Sequence, residues 1–118
     1  MNRTKNDQLT NLVTALKTIA IQKKKALWKT VAVELSKPTR SKREVNIYKL
    51  DKYAKEGEII IVPGKVLGTG ALSKKLTVAA LQFSESAKEK IKSNKGEILS
   101  IEELMKKNPE AKGVRIMG

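Results

Sequence analysis

The chain has 118 residues, with 25 Lys and Arg against 12 Asp and Glu, a net charge of +13, and neither Cys nor His. That length fits one small domain, residues 1–118, with a modest core and little room for a deep interior site. The missing residue types exclude disulfides, thiolate nucleophiles, Cys- or His-ligated metals and any imidazole-dependent triad, while the charge calls for a polyanionic partner, nucleic acid ahead of an anionic membrane surface.

The first apolar stripe is Leu9, Leu12, Val13, Leu16, Ile19 and Ala20, which recurs at helical spacing, with Thr4 or Asn6 able to cap its start. Lys23-Lys24-Lys25 interrupts it, and a second stripe follows at Leu27, Trp28, Val31, Ala32 and Leu35. This predicts two helices, or one bent helix, joined at the lysine run and ended by Pro38, because the residue before proline is pushed out of the α region. Residues 1–37 thus form a basic helical region, and 38–44 read as an exposed basic loop. Lys37, Arg40, Lys42 and Arg43 give four cations within the seven residues 37–43. Ser41-x-x-Glu44 matches a capping box formally, but Val45-Asn46-Ile47 alternates like a short strand.

Residues 45–118 read as an α/β body. Leu50 to Tyr53 predict a helical turn closing at Gly57. Glu58-Ile59-Ile60-Ile61-Val62 predicts a strand buried on both faces and stopped by Pro63-Gly64. Gly68-Thr69-Gly70 marks a turn, and Leu76 to Phe83 predict a second long strand. A helix begins at Ser84 and ends before Gly96, with Ala87 and Ile91 on one face. Glu97-Ile98-Leu99 predicts a short strand, and Ser100-x-x-Glu103 a capping box opening a helix that Asn108-Pro109 stops. Val114-Arg115-Ile116 predicts a last strand. The expected core is Val45, Ile59, Ile61, Val78, Ala80 and Ile91. No apolar run approaches the ~18 residues of a membrane span, and the N-terminus shows no secretory h-region.

The glycines at 64, 68 and 70 fit neither phosphate-loop nor dinucleotide spacing, since Thr69 and Ala71 follow the last two and Ser73 stands where a further glycine is needed. They fit tight turns, or a backbone that approaches an RNA phosphate with Lys65, Lys74 and Lys75 nearby. Glu102 and Glu103 suit a helix dipole rather than a catalytic pair, and Asp51, Glu56 and Glu58 lack calcium-loop spacing. Lys23 to Lys25 and Lys29, interleaved with Leu27, Trp28 and Val31, match a membrane-surface or partner-binding helix as well as a core-facing helix with a cationic wet face. Trp28 reads as a core anchor. Charge is concentrated early: residues 1–50 hold 12 cations and 3 anions, and residues 51–118 hold 13 and 9. Only four residues are aromatic, Trp28, Tyr48, Tyr53 and Phe83, which predicts recognition of backbone and shape rather than base stacking.

Arg43-Glu44-Val45-Asn46-Ile47, Val62-Pro63-Gly64-Lys65-Val66-Leu67-Gly68, Thr77-Val78-Ala79-Ala80 and Phe83-Ser84-Glu85-Ser86-Ala87 resemble the archaeal and eukaryotic large-subunit ribosomal protein called eighteen-e, related to bacterial large-subunit protein fifteen. The likeness runs over nearly the whole chain and is most specific at Val62 to Gly68. It implies a cytoplasmic, non-enzymatic constituent of the large ribosomal subunit. The partners it implies are large-subunit ribosomal RNA and neighbouring ribosomal proteins, with no cofactor, metal, small-molecule substrate or membrane. It also implies an irregular strand-strand-helix stack behind N-terminal basic helices. The family's basic loop falls on Pro38, Arg40, Lys42 and Arg43, and its glycine turn on Gly64, Lys65 and Gly68. Thr69 replaces an expected acidic residue and Leu81 an expected aromatic. The lack of a long basic C-terminal extension resembles archaeal members. The expected phosphate contacts are Lys23, Lys24, Lys25, Lys29, Lys37, Arg40, Lys42 and Arg43, with Lys65, Lys74 and Lys75 as a second surface. The competing reading is a nucleic-acid- or nucleotide-processing enzyme using Glu or Asp with magnesium.

Overall fold

The computed structural model describes residues 3–36 and 44–117, with side chains described from residue 10 onward. Thr4 and Asn6, expected as caps, fall within the first helix, which already runs from Arg3, while the apolar Leu9 side chain, the formal Ser41 cap and the loop residues Lys37, Pro38, Arg40, Lys42 and Arg43 lie outside the described residues.

Two helices open the chain, α1 (Arg3–Lys23) and α2 (Ala26–Ser36). What separates them is backbone geometry at the lysine run. Lys24 adopts φ 53°, in the left-handed region, and the Lys25 N–H donates to the Ala20 carbonyl five residues back at 3.1 Å. That is a Schellman ending with lysine at the position glycine usually takes.

Downstream the chain alternates as expected: β1 (Glu44–Asn46), α3 (Ile47–Tyr53), β2 (Ile59–Leu67), β3 (Thr77–Phe83), α4 (Glu85–Ser93), β4 (Glu97–Ser100), α5 (Ile101–Lys107) and β5 (Val114–Ile116). All pairings in the five-stranded sheet are parallel, in the order β1-β2-β3-β4, with β5 also on β2. The helices therefore cover both faces, as parallel sheets require. Ile60, Val62, Val66, Val78 and Ala80 pack with Leu50 of α3 and with Ala87 and Ile91 of α4. Ile61 and Ala79 face the other way, onto Leu16, Trp28, Val31, Leu35 and Leu104 from α1, α2 and α5. The expected core residues are all buried except Ile59, which is half-buried. The buried Trp28 also donates its indole N–H to the Pro109 carbonyl at 2.8 Å, tying α2 to the turn after α5.

Two boundaries differ from expectation. Ile47 starts α3 rather than ending a strand. Pro63-Gly64 does not stop β2, which runs through it with a bulge between Val62 and Lys65 against β3. On the opposite edge, β5 pairs with Ile59 to Ile61 and β1 with Lys65 to Leu67. Pro63 stands in the gap between these two short neighbours, where its missing N–H costs no ladder bond.

Local signals hold at the later helices. Ser84 accepts the Ala87 N–H at the start of α4. Ser100 and Glu103 form the reciprocal capping box of α5, at 3.0 and 2.8 Å.

Candidate nucleic-acid interface

Lys23, Lys24 and Lys25 occupy the α1–α2 elbow, and Lys29 lies in the first turn of α2. Lys23, Lys24 and Lys29 are exposed and Lys25 is half-buried. The cations sit favourably against the carbonyl end of α1 but unfavourably against the positive end of α2, whose first turn carries no carboxylate. Among the described residues a single ion pair offsets them, Lys23 to Glu110 at 3.4 Å, and both partners are substantially exposed. A pair so exposed neutralises little. The elbow is thus a cluster of cations around the N-terminal end of α2, whose first turn carries no carboxylate, an arrangement suited to an anion.

The second expected surface divides. Val45 and Val66 are paired neighbours in the α3–α4 cluster, so the adjacent pair Glu44 and Lys65 lies on the opposite face, the one α1, α2 and α5 cover. Lys65 is also in register with Gln82, whereas Lys75 precedes Thr77 at the other end of β3. Residues 77 and 82 are separated by roughly 17 Å of strand. Lys65 therefore shares a sheet face with the elbow helices, and Lys74 and Lys75 belong to the rim beside α3.

Lys74 departs furthest from the expectation of a free phosphate contact. Its ammonium donates to the carbonyls of Asp51 and of Ala54, the latter at 2.7 Å, and so fastens the end of α3. Next to it, Asp51 accepts the Ser73 N–H and the Ser73 hydroxyl, each at 2.8 Å. The backbone hydrogen bond, then the hydroxyl, hold the Asp51 carboxyl below its ordinary range, with Lys74 adding to them against a small desolvation effect. Lys75 is exposed, and its N–H is held by Glu56.

The glycine turn also turns inward. Gly64 is buried within β2. A Cβ at Gly68 would fall 2.8 Å from the Ala87 backbone nitrogen and 2.7 Å from the Ser86 Cβ. The close approach that Gly68 permits is therefore to the start of α4. Lys90, which no local pattern singled out, donates to the carbonyls of Gly68 and Gly70 from 22 and 20 residues away. Its sequence signal is absent because the contact is made by tertiary packing alone.

The acidic residues weighed for other chemistry are engaged locally. Glu103 completes the α5 cap, and Glu102 pairs with Lys106 at 3.3 Å. Glu58 binds Arg115 at 3.1 Å and accepts the Lys55 N–H. Among the described residues no group of three or more Asp or Glu is placed to hold a metal ion, and no helix is long and apolar enough to cross a membrane.

Comparison with known proteins gives these features a context. The family described as "Ribosomal protein 60S L18 and 50S L18e" matches residues 1–118. The chain is 47% identical over 112 residues to "Large ribosomal subunit protein eL18" of Methanoregula boonei, spanning 95% of this chain and 93% of the relative. It is 46% identical over 115 residues to the protein of the same name from Archaeoglobus fulgidus, spanning 98% of both. With that of Sulfurisphaera tokodaii it shares 48% identity over 96 residues, 81% of each chain. A match that runs end to end, at near-half identity, across the bulged glycine strand and the basic helices alike means that the chain belongs to the family of ribosomal protein 60S L18 and 50S L18e.

Proposed function

We infer that this protein is a structural, non-enzymatic constituent of the large ribosomal subunit, a single domain that binds large-subunit ribosomal RNA by neutralising phosphates. The relatives' names support the subunit, and one observation supports the mode of binding. Four lysines crowd the α1–α2 elbow at the positive end of α2, offset among the described residues by one exposed ion pair. A phosphate at this site relieves their mutual repulsion and satisfies the helix start at once. Lys37, Arg40, Lys42 and Arg43 continue the charge directly after α2, and Lys65 adds to it on the same sheet face. Lys75 adds a cation at the α3 rim, whereas Lys74 serves the protein's own carbonyls. Neighbouring ribosomal proteins complete the partners in this reading.

The test is the salt dependence of binding to large-subunit ribosomal RNA. With about six phosphates neutralised, log affinity falls against log salt with a slope of about −4 to −5. Replacing Lys24, Lys25 and Lys29 by Ala makes that slope shallower by about 2 to 3. A flat dependence in the wild type refutes the electrostatic mode, and normal subunit assembly by an Arg40, Lys42 and Arg43 to Ala variant removes the loop from the interface. Turnover of RNA in magnesium would favour the enzymatic alternative instead.

A further inference from the structure

The helix α3 carries a surface that the phosphate-binding reading does not use. Its buried side is Ile47 and Leu50. At about 100° per residue, the side chains opposite them run in the order Tyr48, Lys52, Lys49, Tyr53 across about 140° of arc. Tyr48 and Tyr53, the only tyrosines of the chain, are 55% and 53% exposed. Each has a lysine as its i,i+4 neighbour, and the Lys52 ammonium stands 5.3 Å from the Tyr53 ring centre. The helix's one carboxylate, Asp51, lies off this face and is held by Ser73. Among the described residues neither Lys49 nor Lys52 forms an ion pair.

The root of Tyr48 is fixed while its ring is free. Its N–H donates to the Thr69 carbonyl at 3.1 Å. Gly70, at φ 100°, lies so close that a Cβ there would be 2.5 Å from the Tyr48 Cβ. The glycine turn, locked by Lys90, therefore buttresses an aromatic side chain that points to solvent.

We propose that the exposed face of α3 is a second RNA-contacting surface, on which Tyr48 and Tyr53 stack unpaired bases while Lys49 and Lys52 meet the adjoining phosphates. This rests on the RNA-binding role proposed above, and at this one surface it replaces the expectation that the few aromatics leave recognition to backbone and shape, because both tyrosines are exposed on one helix face. Two rings give flat faces for bases, and two uncompensated cations give the charge complement of the backbone between them. A protein partner fits less well, because lysine is depleted from the buried centre of protein interfaces. A membrane surface fits less well too, since the face bears no aliphatic anchor.

The experiment compares three full-length proteins binding archaeal large-subunit ribosomal RNA across a salt series: wild type, Tyr48→Ala with Tyr53→Ala, and Tyr48→Phe with Tyr53→Phe. Circular dichroism establishes that each is folded. The alanine pair is expected to bind at least about thirtyfold more weakly with an unchanged salt slope, because two stacking contacts and no charge are removed. The phenylalanine pair, which keeps the rings, is expected to bind like wild type. Equal affinity for the alanine pair overturns the proposal, as does equal loss for both pairs, which would assign the effect to the hydroxyls. Unchanged RNA affinity with lost binding to anionic vesicles or to neighbouring ribosomal proteins also overturns it. Failure of the wild type itself to bind RNA is a separate result, and it removes the RNA-binding role along with this surface.

Discussion

Asp51 shows how a single side chain sets a local geometry and a pH response. Its carboxylate gathers the Ser73 N–H and hydroxyl, and so anchors the stretch before β3 onto α3. Because these bonds favour the charged form, its pKa in the folded protein is lowered from 3.8. A depressed carboxylate contributes stability above its unfolded pKa and loses that contribution as pH falls through the folded one. The stability gap between wild type and Asp51→Asn, open at neutral pH, is therefore expected to close as pH drops below about 3.8, in thermal melts taken from pH 7 to pH 2. Lys74, on the same contact, illustrates why its role was not legible beforehand. A lysine beside a glycine-rich turn reads as a free cation until the carbonyls of Asp51 and Ala54, 23 and 20 residues earlier, are brought to it.

Secondary-structure elements were readable wherever their determinants are local. The capping box at Ser100 and Glu103, the N-cap at Ser84 and the stripe around Trp28 each depend on residues within a turn or two. The passage of β2 through Pro63-Gly64 was not readable, because it depends on which short strands lie alongside, and those come from residues 44–46 and 114–116. The break between α1 and α2 falls between these cases: the lysine run marked its place, yet lysine is an unusual occupant of a left-handed cap. Lys24→Gly is expected to raise unfolding stability by about 0.5–1 kcal/mol, since glycine enters this region without the Cβ clash. The same change is expected to make the RNA-binding salt slope shallower by about 0.7–0.9, with denaturant melts and a salt titration as the checks. Lys95, at φ 63° ahead of Gly96, repeats the geometry at the end of α4 and provides the comparison: Lys95→Gly gains similar stability and leaves the elbow untouched.

Across the whole molecule, charge and core are separated by layer. The elbow helices pack their apolar stripe against one sheet face and turn their lysines outward, while α3 and α4 seal the other face. Among the described residues no polar or charged one is buried in either cluster. The segment closing the sheet is β5, whose Val114 and Ile116 join the α1–α2–α5 cluster while Met117 joins the other. A chain ending at Lys112 leaves the edge of Ile59 to Ile61 unpaired and a notch in both clusters. It is expected to lose its cooperative melt and to elute as aggregates, by circular dichroism and size exclusion. The divided edge of β2 also imposes an order in time. One half is covered by a strand made before β2 and the other by a strand made some fifty residues after it. On a chain growing at about 5–20 residues per second, the exposed half stays open for several seconds after β2 emerges. Whatever shelters that edge in the meantime, whether RNA, chaperone or the ribosome that is making it, acts before the protein has acquired its final strand.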